Sequence, residues 1–192
     1  MMQTALKSIA AEHTAVLAPS FDAARLGVLE SMAREILKAF KSGKKILLCG
    51  NGGSAADAQH IAAEFIARFQ KERRSLPAIA LTTDTSALTA IANDYGYNSV
   101  FSRQVEGLGQ PGDVLIAIST SGNSKSILEA IKQAKQQQLM TLGFTGKEGG
   151  ILKGIADLCY HAQSSKTSHI QEMHITALHA LAEVVENVLF GS

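Results

Sequence analysis

Cysteine is nearly missing from this 192-residue chain: the only two, Cys49 and Cys159, sit inside apolar runs without the paired spacing of a metal finger. A disulfide scaffold is excluded on that count, and a reducing compartment is the natural setting. An excess of one charge is missing too. Eighteen Lys and Arg stand against seventeen Asp and Glu, mixed along the chain, for a formal net charge of +1. That balance argues against a strong nucleic-acid or membrane surface. No apolar run reaches about 18 residues, and the first residues lack a charged-then-apolar leader. Linkers, internal repeats and low-complexity tracts are lacking as well. What is present is 46% hydrophobic against 18% charged residues, enough to bury a core. The expectation is a soluble cytoplasmic protein of one domain with a helical extension.

The order of apolar patterns predicts the architecture. Residues 3–41 read as two helices broken near Pro19-Ser20, with Ser20 or Asp22 as the cap of the second. In that second helix Leu26, Leu29, Met32, Ala33, Ile36, Leu37 and Phe40 recur at helical spacing. From residue 44 onward strands and helices alternate. Strands are expected at 44–50, 77–83, 113–120, 139–146 and 156–162. Helices are expected at about Ser54–Phe69, over 84–108 with interruptions near Asp94–Asn98, at Ser124–Gln138, and from about Ser168 to Phe190; a short glycine-bounded helix lies between the last two strands. Short, wholly apolar strands alternating with helices imply a parallel sheet covered on both faces. The fold class expected is α/β: a doubly wound parallel sheet of about five strands over residues 43–192, preceded by a helical extension over 1–42 that makes an oligomer contact. In such sheets ligands sit beyond the carboxyl ends of the strands.

Two loops fall there. Gly50-Asn51-Gly52-Gly53-Ser54 bends tightly at the start of a helix, whose free N–H groups and positive dipole end suit an anion. A plain strand-to-helix turn would explain the glycines equally. Gly50-x-Gly52-x-x-Ala55 also satisfies the dinucleotide fingerprint. That fingerprint wants an acid about 20 residues on, and the acid at the end of the second strand is Asp84, so a dinucleotide is disfavoured. The second loop, Ser119-Thr120-Ser121-Gly122-Asn123-Ser124, places four hydroxyls around a glycine. Hydroxyls and helix amides together can saturate phosphate oxygens without a lysine, and capping alone needs only one of them.

His60 and Glu64 stand one turn apart on the helix leaving the first loop, among Ile61, Ala62, Ala63 and Phe65. An idle Glu on so apolar a helix would be costly. The last helix carries Gln171, His174 and His179. Gln171 and His179 are separated by about 12 Å of rise and about 80° of rotation, so one metal would need the Gln to extend forward and the His to lean back, unless two subunits supply them. His174 lies off that arc and reads as a packing or partner residue. Imidazole, carboxylate and carboxamide donors suit zinc or a similar divalent ion.

Taken together, "CGNGGSAADAQH", "AAEF", "LTAIANDYG", "ISTSGNS" and "IQEMH" resemble the phosphoheptose isomerases of the sugar-isomerase (SIS) domain family, in order, from about residue 44 to 185. The resemblance implies a flavodoxin-like sandwich and a homotetramer with active sites at subunit boundaries. It implies conversion of sedoheptulose 7-phosphate to glycero-manno-heptose 7-phosphate, the first step toward the heptose of bacterial lipopolysaccharide. It further implies substrate contacts at Asn51, Gly52, Gly53, Asn93, Asp94, Ser119, Thr120, Ser121, Ser124 and Gln171, with Ser54 and Glu64 beside them. A zinc ion is implied at His60, Glu64, Gln171 and His179.

Moving a carbonyl from C2 to C1 needs a base for the C1 proton, an acid for C2 and stabilisation of the enediolate between them. Glu64 is the candidate base and His179 the candidate acid, with zinc as Lewis acid. A carboxylate tightly bound to zinc is a poorer base, so either the ion holds Glu64 loosely or it is partly structural. Asp94 reads either as a contact to sugar hydroxyls or as part of an Asp-Tyr-Gly turn. Where the family has Arg-Ile-Gln-Glu this chain has His169-Ile170-Gln171-Glu172, which removes a fixed positive charge. Arg68 could supply charge instead, or belong to a solvated basic stretch. Two other readings compete: a non-catalytic relative that binds the bacterial replication initiator, sharing "SLPAIAL", "LTAIAND" and "IQEMH", and an isomerase or sensor of another sugar phosphate. The adaptor has no need of both Glu64 and His179.

Overall fold

A computed structural model describes residues 1–191. Strands β1 (Ile46–Gly50), β2 (Ala78–Ala80), β3 (Val114–Ile118), β4 (Met140–Thr145) and β5 (Leu158–His161) pair in parallel in the order β2-β1-β3-β4-β5. This is the doubly wound order, with its topological switch between β1 and β3. Every residue of β1 and β3 is buried, as a strand covered on both faces requires. Alternate side chains feed two cores. Ile46, Leu48, Ile116, Ile118, Leu142 and Phe144 meet α2 (Ala23–Lys41), α3 (Gly53–Ile66) and α8 (Thr167–Phe190). Leu47, Cys49, Leu115 and Ala117 meet α5 (Ser102–Leu108), α6 (Lys125–Gln136) and α7 (Gly150–Ile155), with α4 (Thr85–Tyr95) packed against them.

α1 (Met2–Ser20) and α2 are separated where the sequence places the break. Asp22 caps α2, its carboxylate accepting from the Arg25 amide at 2.9 Å, the usual work of an N-terminal Asp. α2 buries Leu29, Met32, Ala33, Ile36, Ala39 and Phe40 in the same core as α8, and truncating one such aliphatic side chain to Ala costs about 2–5 kcal/mol. The segment left outside the core is therefore α1, which buries only Ser20 and lies along α8 through the pairs His13–Glu172 and Glu12–Lys166. Even that residue faces inward for a polar reason: its Oγ accepts from the Gln163 amide and its carbonyl from the Tyr160 hydroxyl.

Most element ends fall within one or two residues of the periodicity, and two are cut back further. α3 stops at Ile66 rather than Phe69, because Ala67 turns away (ψ −94°) and the Arg73 guanidinium takes the carbonyls of Glu64, Phe65 and Ala67. β2 has three residues rather than seven, since it is an edge strand paired only with β1 and the Thr83 hydroxyl folds back onto the Ala80 carbonyl. The interrupted helix over 84–108 resolves into α4, a 3-10 turn at Tyr97–Ser99 and α5, with Gly96 at φ +81° making the break.

Candidate functional site

The loops after β1 and β3 leave the switch point in opposite directions, one into α3 and the other into α6. They meet across a small polar cavity of about 120 Å³ lined by Asn51, Ser54, Ser119, Thr120, Ser121, Ser124, Ile118 and Gln171. That is well below the about 300–1,000 Å³ of a drug-sized pocket and suits a phosphoryl group. Larger hollows exist, one of about 480 Å³ around Lys38, Lys44 and Gln138. It lies at the amino ends of the strands, away from the ligand-binding edge of such a sheet, so size and chemistry point to different places and chemistry decides.

Asn51 joins the two loops. Its Nδ2 donates to Ser124 Oγ at 2.8 Å and to Ser126 Oγ at 3.0 Å, and its Oδ1 accepts from the Tyr97 hydroxyl at 2.7 Å. Ser124 is the N-cap residue of α6, yet its side chain makes no capping bond; its hydroxyl faces the cavity and Asn51 instead. Ser121 accepts from the Asn123 amide at 3.2 Å. Ser54, Ser119 and Thr120 hydroxyls make no side-chain hydrogen bond among the described residues, which leaves them for a ligand. Close approach to backbone demands two of the loop glycines: a Cβ on Gly50 would lie 2.3 Å from the Ser54 carbonyl oxygen, and one on Gly122, at φ +67°, 2.1 Å from the Gly149 carbonyl oxygen. A Cβ on Gly53 would meet the end of the Gln171 side chain, 2.4 Å from Nε2.

Farther along α3, His60 and Glu64 meet His179 of α8. His60 Nε2 lies 2.8 Å from His179 Nε2 and 3.3 Å from Glu64 Oε1, and all three donor atoms lie within 4.8 Å of one another. At that distance one ring nitrogen donates a hydrogen bond to the other. Burial, then the charge of His60, hold His179 below the ordinary imidazole value, against an opposing pull from Glu64. One turn before His60, burial lifts the Asp57 carboxyl to about 6 against the pull of His60, and its Oδ2 has no hydrogen-bond partner. The face is open: His60 keeps 49% of its side chain exposed.

Gln171 is placed in the cavity beside Gly53, while the trio comprises His60, Glu64 and His179. Asn93 and Asp94 end α4, exposed, with Asn93 Nδ2 donating to Asp94 Oδ1 at 2.8 Å. Arg68 lies beyond α3, exposed and 3.4 Å from Glu72. These three do not line the cavity. His174 is wholly buried, donating from Nε2 to the Thr145 carbonyl at 2.9 Å, and burial lowers its pKa to about 4. His169 is buried too, its ring edge-on to His13 of α1. Tyr97 and Ser126 were not legible as site residues. Their only signal is the tyrosine a few places after the Asn-Asp pair, and a second serine just past the hydroxyl loop.

A parallel sheet in this order, with two hydroxyl- and glycine-rich loops closing on one polar cavity at its switch point, defines an α/β domain built to hold a phosphate ester. Residues 11–146 match the SIS domain. A phosphoheptose isomerase of a Roseiflexus species is 57% identical over 163 residues, 85% of this chain and 83% of that protein. One of a Nitratiruptor species is 60% identical over 150 residues, covering 78% and 80%. The solved structure of a phosphoheptose isomerase from Neisseria gonorrhoeae superposes with a TM-score of 0.92 at 40% identity, over 97% of this chain and all of that one. The chain belongs to the SIS-domain family, within its phosphoheptose isomerase branch.

Proposed function

We propose that the chain is an aldose–ketose isomerase that converts sedoheptulose 7-phosphate to D-glycero-D-manno-heptose 7-phosphate, serving lipopolysaccharide heptose synthesis in the cytoplasm. One observation carries this: the phosphate-sized cavity and the His60–Glu64–His179 cluster share α3. From Ser54 to His60 the helix rises about 9 Å, which suits a ligand with its phosphate at one end and its reacting carbonyl several carbons away. The names of the relatives support the same reading.

The phosphate sits on Ser54, Ser119, Thr120, Ser121 and Ser124, with the amides that open α3 and α6 and with Gly52 and Gly53 admitting it closely. Asn51 and Gln171 orient the sugar. Glu64 takes the proton from C1, and His179 hands a proton to the C2 side as the enediolate collapses. His179 also donates a hydrogen bond to the developing oxyanion. Two imidazole nitrogens and a carboxylate oxygen grouped this closely are a donor set that zinc accepts, so His60, Glu64 and His179, with Gln171 as the fourth ligand of our reading, would hold it. Such an ion supplies Lewis-acid polarisation of the sugar oxygens.

The open face of the trio and the exposed apolar residues of α1 (Leu6, Ile9 and Leu17) support a homotetramer with active sites at subunit boundaries. Asn93, Asp94 and Arg68 then contact substrate once a neighbouring subunit closes the site. The deciding experiment is turnover of sedoheptulose 7-phosphate by purified protein, with and without chelator, beside Glu64→Gln. Turnover that collapses in the variant by about 10²–10⁴ supports the assignment. Binding of the phosphate ester without turnover by metal-loaded protein would replace it with a sensor or initiator-binding adaptor.

A further inference from the structure

Two charges are buried behind the trio, and no step above uses them. Arg73 and Glu186 are paired at 2.9 Å with side chains 1% and 2% exposed. Glu186, in α8, also accepts the amides of Phe69, Gln70 and Lys71 at 2.8–3.0 Å. Burial alone would raise its carboxyl, but those amides and Arg73 hold it below the usual range. Arg73 donates to the carbonyls of Glu64 (2.8 Å), Phe65 (2.9 Å), Ala67 (3.3 Å) and Arg74 (3.0 Å). The guanidinium thus satisfies the open C-terminal end of α3, and the carboxylate gathers the loop that follows.

A buried ion pair of this kind is weak ground for stability, since apolar replacements are often neutral or stabilising. Its effect here is geometric. Arg73 grips the peptide carbonyl of Glu64 itself. Glu186 lies seven residues after His179, two turns along one face of α8. Phe69, whose amide Glu186 holds, lies nearly parallel to the His179 ring, with centroids 5.6 Å apart and planes at 22°. The backbone of one reactive residue, the helix of the other and the ring behind it all converge on one ion pair.

We propose that Arg73 and Glu186 are positioning residues for the Glu64–His179 pair, setting the spacing of α3 and α8 and holding Phe69 against the His179 ring. This rests on the isomerase reading above. The test uses the full chain carrying Arg73→Met with Glu186→Leu, and separately Arg73→Lys, and measures kcat and KM for sedoheptulose 7-phosphate, zinc affinity by competition with a colorimetric chelator, and Tm. In the double variant kcat falls about ten- to a hundredfold and zinc affinity by a similar factor. KM changes by less than about twofold, because the phosphate loops do not touch the pair. Arg73→Lys, which keeps the charge but loses the fork of donors, falls between. A folded double variant with wild-type kcat and zinc affinity overturns the proposal, whatever its Tm. If the double variant does not fold, Phe69→Leu decides: it keeps the apolar cover and removes the stacked ring, so reduced kcat or zinc affinity supports the proposal and wild-type values overturn it. A wild type that binds zinc without turning over the sugar would sink the isomerase reading alone, leaving zinc affinity to judge the clamp.

Discussion

The carboxamide of Asn51 bolts the loop after β1 to the loop after β3, donating to Ser124 Oγ at 2.8 Å while the Tyr97 hydroxyl fixes which way the amide faces. Asn51→Ala removes the bolt and, in the proposed site, a contact to the sugar. KM is expected to rise about tenfold, as two part-buried hydrogen bonds worth about 0.5–1.5 kcal/mol each are lost. Tyr97→Phe releases the amide without removing it and should raise KM by less than about tenfold. Steady-state kinetics on both variants check the order; equal KM values for wild type and Asn51→Ala would remove Asn51 from the site.

Gly53→Ala separates function from stability. The new methyl would fall 2.4 Å from Gln171 Nε2, the mobile end of a flexible side chain, so Gln171 swings out of the cavity. Alanine favours a helix over glycine by up to about 1 kcal/mol. The expected result is an unchanged or higher Tm with sharply reduced substrate affinity, read by thermal melts beside titration calorimetry with the phosphate ester.

Under the proposed zinc assignment, removing one donor from the trio empties it before it unfolds anything. His60 is half exposed, and an exposed substitution moves stability by about 0.5 kcal/mol or less. His60→Ala is expected to lower zinc stoichiometry, measured by plasma emission on dialysed protein, with Tm in chelator unchanged. Full zinc retention would place the ion elsewhere.

His174 makes stability depend on pH. Its folded-state pKa is depressed from 6.5 to about 4, so the unfolded chain binds the proton first as pH falls. The contribution is complete above about 6.5 and is lost progressively as pH drops through the window toward 4, amounting to about 3 kcal/mol at the acid end. Denaturant midpoints at pH 7.5 and 5 should converge in His174→Gln relative to wild type. An equal pH slope in both would contradict this.

α1 buries only Ser20 and leaves Leu6, Ile9 and Leu17 exposed. In the proposed homotetramer, Leu6→Glu with Ile9→Glu should give smaller species while far-ultraviolet circular dichroism stays native, since neither residue is in the core, whose buried apolar residues begin at Leu29. Light scattering reads the mass; an unaltered tetramer would show that α1 is not at the interface.

Much of this molecule follows from local sequence. The wholly apolar runs at Ile46–Gly50 and Val114–Ile118 specify strands buried on both faces, and the glycine and serine clusters at their ends specify the turns into the following helices. His60 and Glu64 face one side because helical spacing puts them there. These features depend on neighbours a few residues away, which is the range over which periodicity and turn chemistry act.

Tertiary structure decided the rest, because the contacts join residues far apart in the chain. No spacing could bring His179 within 2.8 Å of His60 across 119 residues, or turn Tyr97 onto Asn51. Gln171, eight residues from His179, lines the small polar cavity because α8 packs over Gly53, a contact between helices more than 100 residues apart in the chain. The end of α3 at Ile66 was invisible as well, since it is imposed by Arg73 and, through it, by Glu186 more than 100 residues on. Sequence determined which side chains the chain could offer; the crossing of α3 and α8 over the sheet decided which of them meet.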